Sequence, residues 1–407
     1  MRLNVTSEQG SQPVIYLVSE RFGQIGGGEA IKAYQYARYL LAQGRRIVVF
    51  THERSVTSLG ADLPPEMMRT VPDTPLQVLL WRSKLLTGLL QPYFHLAARR
   101  LVLKEAGTDR SPILHYISPV SPVAPRFSPG GFRRVFGPMT GNIYYPPGFR
   151  DRMSGKDRLR EGMHRIAQQV LGRIFPEKRA AQSLLVSGYE RTRASLEMAG
   201  CRPEQMRDVI DSGVNELIAT RPRIRQAGRN PRFVASGRLV DYKGFDLAIR
   251  AVALAAPDIT LDIYGKGEMQ ARLEALIAEL GLGDRVRLHG WTPQEQLLEA
   301  FQDKRGYLFP TLAEANGMVM QEAMMMGLPV VTLRWGGPAM LADADSAVYL
   351  EPAGPEQVVA GLAAAIDRLA EDGEEAERLS VNARHLAETR FEWRAVAEAW
   401  ERAYSGG

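Results

Sequence analysis

Two carboxylates lie on either side of a strand-to-helix turn in the second half of the chain. The stretch Tyr307–Val331 contains a short apolar run, a loop that holds Glu314, and a helical pattern that starts near Gly317 and carries Glu322. A strand that passes directly into a helix presents unpaired backbone N–H groups, which can bind an anion such as a diphosphate. Carboxylates beside such a turn accept hydrogen bonds from sugar hydroxyls, so the pattern predicts a ligand with both sugar and phosphate. Surface glutamates on an ordinary helix would not require the glycine and proline residues that punctuate this stretch.

Arg238 and Lys243 form a second pair with the potential for chemistry. They follow the apolar run at residues 233–236 and precede a helical pattern that begins near Phe245. An arginine and a lysine five positions apart on such a turn can hold one diphosphate from two sides. They would neutralise the charge that appears when a sugar–phosphate bond breaks. The alternative is that both are ordinary surface charges.

Alternating apolar runs and helical patterns predict an α/β protein with parallel sheets, because continuous apolar runs are typical of strands buried on both faces. In the first half, the run at residues 14–18 is followed by Gly26, Gly27 and Gly28, a helix, and another run at residues 47–50. The glycine loop lacks the spacing of dinucleotide-binding folds, so by itself it is weak evidence for phosphate binding. A length of 407 residues predicts two domains.

These segments resemble motifs of glycosyltransferase family 4. The stretch with Glu314 and Glu322 resembles the family signature P-T-x-x-E-x-x-G-M-V-x-x-E, and residues 237–244 resemble its G-R-x-x-x-x-K-G donor-diphosphate turn. The resemblance implies the GT-B fold, in which two Rossmann-like domains with doubly wound parallel sheets face each other across a cleft. The acceptor-binding domain is expected at residues 1–212, with a C-terminal helix at 391–407 crossing back to it. The nucleotide-sugar-binding domain is expected at residues 213–390.

The resemblance also implies an activity, which is retaining transfer of a hexosyl group from a nucleoside diphosphate sugar, UDP- or GDP-linked, to a saccharide acceptor. Catalytic roles are expected for Glu314, Arg238, Lys243 and His115. We expect no cofactor besides the sugar donor. We also expect no metal, because the sequence has no D-x-D or histidine–carboxylate cluster and two cations already stand where a metal would neutralise the diphosphate.

Individual donor contacts follow from the same resemblance. Glu322 would hold the ribose hydroxyls, and Glu314 would hold hydroxyls of the transferred sugar. Backbone N–H groups of Asn316 and Gly317 would bind the phosphates or the sugar, although Asn316 stands where relatives usually have phenylalanine. The full set of expected donor-binding residues is Gly27, Gly28, Arg238, Lys243, Gly265, Trp291, Thr292, Glu314, Asn316, Gly317, Met318, Val319 and Glu322.

His115 is the expected catalytic residue of the first domain. Relatives commonly have a histidine at the end of the corresponding strand, where it faces the transferred sugar. In this chain Ile117 stands where the second histidine of the usual H-x-H pattern would be. The alternatives to a cleft position for His115 are a satisfied histidine in the core and a cleft-facing Ser118.

Two further segments resemble a branch of the family that makes bacterial exopolysaccharides. They are Phe136–Asn142, which is similar to a G-P-x-G-G segment, and Trp335–Pro338, which is similar to a glycine-rich turn. The branch implies a polyprenyl-diphosphate-linked oligosaccharide as the acceptor. Tyr144 and Tyr145, with the two prolines that follow them, are expected to form a wall for this acceptor.

Charge is distributed unevenly along the chain. Residues 1–200 contain 28 Lys and Arg against 15 Asp and Glu, whereas the remainder is acidic. This asymmetry favours an anionic partner for the first half. An inner membrane leaflet is favoured over nucleic acid, because no nucleic-acid motif accompanies the charge. The apolar segment 76–103 and the basic segment 150–179 could make the contact, or they could be core helices and a solvated helix respectively.

The remaining features concern location and other possible classes. The single Cys201 excludes a disulfide framework, and no apolar run reaches the length of a membrane span, so we expect a cytoplasmic protein with peripheral membrane contact. Two alternatives to the transferase are a nucleotide-sugar epimerase of the same fold and a non-catalytic nucleotide-sugar-binding protein. An NAD-dependent oxidoreductase is disfavoured by the glycine spacing.

Overall fold

The chain folds into two parallel β-sheets joined by helical connections. The computed structural model describes residues 12–24, 28–56, 63–83 and 87–405. Within these residues the sheets have seven and six strands, which confirms the predicted α/β class. The strands are β1 (Ile15–Val18), β2 (Ile47–His52), β3 (Met68–Val71), β4 (Ile113–Tyr116), β5 (Arg133–Met139), β6 (Ser183–Val186), β7 (Met206–Asp208), β8 (Arg232–Ser236), β9 (Thr260–Tyr264), β10 (Val286–Gly290), β11 (Gly306–Phe309), β12 (Val330–Leu333) and β13 (Ala347–Leu350).

Helices connect successive strands, as parallel pairing requires. They are α1 (Gly28–Ala42), α2 (Glu53–Val56), α3 (Pro75–Arg82), α4 (Leu90–Ala106), α5 (Gly155–Ile174), α6 (Tyr189–Met198), α7 (Glu216–Ala219), α8 (Phe245–Leu254), α9 (Gln270–Glu279), α10 (Gln294–Phe301), α11 (Met318–Met326), α12 (Pro338–Leu341), α13 (Pro355–Glu371), α14 (Gly373–Arg390) and α15 (Trp393–Glu401).

Both sheets reverse their strand order near the centre. The first runs β3-β2-β1-β4-β5-β6-β7 and the second runs β10-β9-β8-β11-β12-β13. Ile15 of β1 therefore lies between Ile47 and Ile113, and Phe233 of β8 lies between Leu261 and Gly306. In open parallel sheets, ligands bind outside the carboxyl ends of the strands at such a reversal. In the second sheet this point lies at the ends of β8 and β11.

The last helix returns to the first sheet. The indole Nε1 of Trp400 donates to the backbone oxygen of Ile210 at 2.9 Å, and the Tyr404 hydroxyl is bonded to that of Tyr36 at 2.9 Å. Val214 and Glu392 form a single parallel β-bridge where the chain crosses. The precise division at residues 212 and 390 stays a prediction; the first sheet ends at β7 and the second begins at β8.

A segment of the first half crosses in the opposite direction. Residues 143–153, which we call the strap, connect β5 to α5, and Phe149 within it is buried among the core residues of the second sheet. A Cβ on Gly148 would lie 2.1 Å from the backbone oxygen of Ala353, so only glycine allows the two backbones to approach this closely. Tyr145 also packs against the core of the second sheet. Its ring therefore helps to join the two halves, and the expectation that Tyr145 forms part of an acceptor wall stays a prediction.

The apolar segment 76–103 forms α3 and most of α4. Phe94, Ala98 and Val102 of α4 are fully buried, so this helix belongs to the core of the first sheet. Leu76 and Leu79 of α3 are instead more than half exposed. In the part of the chain that the structure describes, no helix combines the length and the apolar character needed to cross a membrane.

Candidate nucleotide-sugar site

The turn after β8 and the loop after β11 meet at the carboxyl edge of the second sheet. Residues Asp241–Lys243 form a 3-10 turn that ends at Gly244, whose backbone is left-handed with φ +68°. The backbone N–H of Leu312 donates to the backbone oxygen of Tyr242 at 2.7 Å, which ties the loop after β11 to this turn. A Cβ on Gly244 would lie 2.2 Å from the Pro310 oxygen, so the close contact requires glycine here.

This arrangement brings Lys243 and Glu314 into direct contact. The Lys243 Nζ donates to Oε2 of Glu314, and the other carboxylate oxygen accepts from the backbone N–H groups of Ala315 and Asn316 at 3.1 and 3.4 Å. Burial raises the pKa of Glu314, but the charge and hydrogen bond of Lys243 and nearby backbone N–H groups outweigh it, so its pKa lies below the ordinary value. Glu314 is therefore an anion at neutral pH, held beside a cation.

Arg238 lies on the same turn with its side chain exposed. One guanidinium nitrogen donates to the hydroxyl of Tyr242, and this bond, more than any other contact, raises the pKa of Arg238 above its ordinary value. The negative charge of Glu314 acts in the same direction. Arg238 and Lys243 thus place two cations on one turn, with Lys243 in contact with Glu314, and their grip on a diphosphate stays a prediction.

Glu322 lies in α11, which begins after Gly317 in a left-handed conformation with φ +68°. Its carboxylate accepts a hydrogen bond at 3.0 Å from the side chain of Gln294 in α10. Burial raises the pKa of Glu322 to about 7, against the opposing effect of this bond. Gln294 was not among the predicted site residues; its place three positions after Trp291 was the only sequence signal available.

Glycines of three neighbouring segments complete this edge. Gly265 has φ +145°, and a Cβ there would lie 1.8 Å from the Gly237 oxygen, so the turns after β8 and β9 touch through bare backbone. The backbone N–H of Gly337 donates to the backbone oxygen of Glu314 at 2.8 Å, and a Cβ on Gly336 would lie 2.6 Å from the same backbone oxygen. The turn at Trp335–Pro338 therefore supports the Glu314 loop from behind.

The remaining predicted donor residues of the second domain surround this edge. Trp291 is 69% exposed and Thr292 is partly exposed, after β10. Met318 and Val319 form the first turn of α11. Asn316 accepts a bond from Gln321 at 3.2 Å, while its own buried amide nitrogen has no hydrogen-bond partner among the residues that the structure describes. The amide nitrogen of Asn316 is therefore available to donate a hydrogen bond to a ligand after a change of rotamer.

The comparisons with known proteins concern this same region. Residues 219–386 match the family described as glycosyl transferases group 1. This match lies within the second domain. The matched region contains all four residues of the predicted carboxylate and cation pairs, so the resemblance to a glycosyltransferase is confirmed there, and the assignment to family 4 stays a prediction.

One curated relative is the amylovoran biosynthesis glycosyltransferase AmsK of Erwinia amylovora. It is 29% identical over 242 residues, covering 56% of this chain and 58% of AmsK. The present chain thus matches less than two thirds of this relative's length.

Solved structures extend the likeness to nearly the whole chain. WaaG, a glycosyltransferase involved in lipopolysaccharide biosynthesis, superposes with a TM-score of 0.63 at 19% identity, over 97% of this chain and all of WaaG, 100%. HepE of Anabaena, solved in complex with UDP and glucose, superposes with a TM-score of 0.58 at 17% identity, over 97% of this chain and 99% of HepE. At such identities the likeness establishes the fold only. The predicted GT-B fold is confirmed.

The first domain differs from expectation at His115. The imidazole is fully buried, with Nδ1 at 2.6 Å from the Tyr404 hydroxyl and Nε2 at 2.8 Å from the Gly137 oxygen. Both ring nitrogens are occupied, and burial lowers the pKa of His115 to about 4. The structure therefore places His115 in the core, and a catalytic role for it in the cleft is contradicted by this geometry.

Other first-domain candidates have mixed outcomes. Ser118 is also buried, and its hydroxyl accepts from the backbone N–H of Glu20 at 2.8 Å, so it stabilises the strand ends and does not line the cleft. Gly28 is the exposed first residue of α1, and Gly27 lies outside the described residues. The role of both glycines in donor binding stays a prediction.

The turn that contains Asp241–Lys243, which we call the donor turn, is also held by the strap. This contact between the two halves was not predicted from the sequence. The Tyr145 hydroxyl donates to Oδ2 of Asp241 at 2.7 Å, and Arg152 bonds both Asp241 and Asp246 at 3.0 and 3.1 Å. Asp241 lies between Arg238 and Lys243 in sequence. Residues of the first half therefore fix the turn that presents both cations.

Proposed function

We propose that this protein is a retaining glycosyltransferase that moves a hexosyl group from a nucleoside diphosphate sugar to a saccharide acceptor. The contact between Lys243 and Glu314, with Arg238 on the same turn, carries the proposal. AmsK and WaaG are glycosyltransferases by name, and the HepE structure contains UDP and glucose, which supports a nucleotide-sugar donor. We further propose an acceptor linked to a polyprenyl diphosphate, in the synthesis of a surface polysaccharide.

We assign a separate task to each charged group. As the bond between the sugar and the diphosphate breaks, negative charge grows on the leaving phosphate, and Arg238 and Lys243 stabilise that charge electrostatically. Glu314 accepts hydrogen bonds from the transferred sugar, and Glu322 accepts them from the ribose. Before the donor binds, Lys243 is paired with Glu314, so donor phosphates take the place of one carboxylate oxygen as its partner.

Two cations in these positions are the basis for proposing a reaction that needs no metal ion. Among the described residues no three His, Cys, Asp or Glu side chains are grouped as metal ligands. Transfer should then continue at an undiminished rate in EDTA. Loss of transfer in EDTA, with recovery on adding Mg²⁺ or Mn²⁺, would refute this part of the proposal.

The donor is identified by thermal stabilisation with a panel of UDP-, GDP- and ADP-sugars. A ligand that binds the folded state raises Tm by an amount set by its concentration and affinity. Arg238→Gln should abolish the shift produced by the correct donor, whereas Arg378→Gln, an exposed arginine paired with Asp345 far along the chain, should preserve it. A panel without any shift would overturn the proposal.

Two further measurements separate the transferase from its alternatives. Incubation of the identified donor without acceptor should leave the sugar unchanged, whereas an epimerase would alter its configuration. Incubation with a bacterial lipid extract should release the nucleoside diphosphate, whereas a binding protein would not. The anomeric configuration of the product, read by NMR, tests retention.

We also propose peripheral contact with an anionic membrane through α5. Its exposed apolar residues recur at helical spacing and form one stripe, and its flanks are basic. The stripe consists of Leu159, Met163, Ile166, Val170 and Ile174. Exposed Lys156, Arg158 and Arg160 lie beside it. An anionic lipid surface accepts both the apolar stripe and the cations.

Sedimentation with lipid vesicles tests this contact. Wild-type protein should bind vesicles of phosphatidylglycerol and not of phosphatidylcholine, and the double variant Met163→Gln with Ile166→Gln should remain in solution. The matched control is Leu254→Gln with Val381→Gln, which removes exposed apolar side chains of the second domain. If the α5 variant instead converts a dimer to a monomer in size-exclusion chromatography and vesicle binding is absent, the stripe covers a second copy and the membrane proposal is wrong.

A further inference from the structure

A basic cavity lies where the strap passes into α5. Its volume is about 490 Å³, and its charged lining consists of Arg150, Arg158 and Arg165 with Asp151 and Glu161. It is distinct from the donor turn, because none of the donor residues lines it. A cavity with an excess of guanidinium groups is suited to an anion, since Arg binds phosphate oxygens in a fork geometry.

The guanidinium groups of this cavity are not equally occupied by protein partners. Arg158 donates to the backbone oxygen of Met153, and Arg165 is paired with Glu161 at 2.7 Å. Arg150 has no ion pair within the described ranges of the chain. Arg150 can therefore bind an anion without first breaking an ion pair with the protein.

Arg191, in the first turn of α6, extends the same positive region toward the cleft. Burial lowers the pKa of Arg191, and the positive charges of Arg165 and Arg150 lower it further, against Glu161. Helices α5 and α6 pack against each other, so these like charges repel one another. A bound anion would relieve that repulsion, because it would lie among like charges that the two carboxylates of the cavity, Asp151 and Glu161, compensate only in part.

The region adjoins the donor site through one aromatic residue. The Arg191 guanidinium lies 4.4 Å from the centre of the Trp335 ring, and the Trp335 indole donates to the Tyr144 oxygen at 2.8 Å. The next residue, Gly336, packs directly against the backbone oxygen of Glu314. An anion beside Arg191 would therefore lie on the first-domain side of the position expected for the transferred sugar.

We propose that Arg150, Arg165 and Arg191, the arginine cluster, bind the diphosphate group of the acceptor. This inference rests on the proposed function, because it assigns the acceptor half of the same reaction. The donor diphosphate has its own cations on the turn of the second sheet, so the cluster is free for a second phosphate group. The apolar stripe of α5 begins at Leu159, the residue that follows Arg158 of the cavity lining, which suits a hydrocarbon chain attached to that diphosphate.

Binding of farnesyl diphosphate, farnesol and inorganic pyrophosphate tests the proposal by calorimetry. UDP or GDP, whichever stabilises the protein, is present at saturation to occupy the donor turn. Farnesyl diphosphate should bind, and farnesol should not. Arg150→Gln and Arg191→Gln should each weaken binding about tenfold, the effect expected for losing one charge-assisted hydrogen bond. Arg207→Gln, an exposed arginine of β7, is the matched control and should bind as the wild type does.

The possible results separate this inference from the proposed function. Unchanged affinity in both cluster variants, with Tm values showing that they are folded, would overturn the inference. Equal affinity for pyrophosphate and farnesyl diphosphate would assign the cluster to a free anion and overturn the lipid-linked acceptor. If no nucleotide binds, the proposed function fails, and the probes are then compared in the double variant Arg238→Gln with Lys243→Gln, in which both cations of the donor turn are removed and the arginine cluster is retained.

Discussion

The carboxyl edges of the two sheets are built in different ways. In the second sheet, the ends of β8 and β11 bring Lys243 and Glu314 together through short turns, with backbone contacts made possible by glycine. In the first sheet, the polar residues at the strand ends bond to one another and to the core, as Ser118 and His115 do. Positive charge at this edge comes instead from α6 and from the strap with α5. The proposed donor side is therefore made by local turns, and the proposed acceptor side by packing between distant segments.

The largest test of this comparison is Lys243→Gln. The variant removes the ion pair with Glu314 and one of two cations for the leaving diphosphate, so transition-state stabilisation should fall by about 3 to 4 kcal/mol, or roughly 100- to 1000-fold in kcat/KM. Lys104→Gln, a change in α4 of the first domain, should leave kcat/KM unaltered. A Lys243→Gln enzyme with wild-type kinetics would show that the local turn is not the donor site.

Tyr145→Phe tests whether the first half positions the donor turn. Losing the bond to Asp241 should weaken UDP or GDP about tenfold, because a hydrogen bond to a charged group contributes about 1.5 to 3 kcal/mol and part of it is offset by water. The corresponding nucleoside, which lacks phosphates, should bind as it does to the wild type. Tyr93→Phe removes a tyrosine hydroxyl bonded to Thr74 within the first domain and is the control. Equal losses for nucleoside and nucleotide would indicate a general effect on the fold.

The pKa of Glu322, about 7, predicts that donor affinity depends on pH. The ionised carboxylate accepts bonds from ribose hydroxyls, and its fraction rises with pH, so affinity should increase about tenfold between pH 6 and pH 8. Glu322→Gln should bind more weakly and without this dependence. Identical pH profiles for the two proteins would exclude Glu322 as the titrating contact.

The smallest effect on activity is expected for His115→Phe, which changes the first-domain core. Nucleotide affinity should be unchanged, while the free energy of unfolding should fall by about 1 to 3 kcal/mol because the Tyr404 hydroxyl and the Gly137 oxygen lose a partner.

The pH dependence of stability gives a second measurement on the same variant. Burial lowers the pKa of folded His115 to about 4 from 6.5, so the unfolded chain binds the proton first as pH falls. The contribution of neutral His115 to the free energy of unfolding is therefore lost as pH falls from 6.5 to 4. The His115→Phe variant should lose less stability over that range. Urea unfolding at both pH values checks this. A loss of catalysis in a stable variant would return His115 to the cleft.

Sequence alone predicted the second domain in more detail than the first, for a physical reason. Gly244, Gly317 and Gly265 adopt positive φ values or touch backbone, and such requirements leave a local trace in the residue type. The contact between Lys243 and Glu314 follows from adjacent strand ends, which topology predicts. Contacts such as Tyr145 with Asp241 join residues 96 positions apart, and neither residue type indicates its partner.

His115 illustrates the same limit from the other direction. A histidine at the end of a buried strand is compatible with a cleft or a core position, and the difference depends on Tyr404, 289 residues later. The C-terminal helix was expected to cross back, but the side chains that it would place against β4 could not be read from its amphipathic pattern. The sequence indicated an excess of positive charge in the first half, but it did not indicate which arginines lie close together.

The strap and the last helix have a shared consequence for how the molecule can be divided. Phe149 of the first half completes the interior of the second sheet, and Trp400 and Tyr404 of the final segment complete that of the first. Each half of the molecule contributes side chains to the hydrophobic core of the other half. A cut near residue 212 would therefore leave two lobes with incomplete cores. A fragment of residues 213–390 would lack an aromatic ring whose truncation in a core typically costs about 3 to 5 kcal/mol. The two lobes are therefore partners in folding as well as in binding.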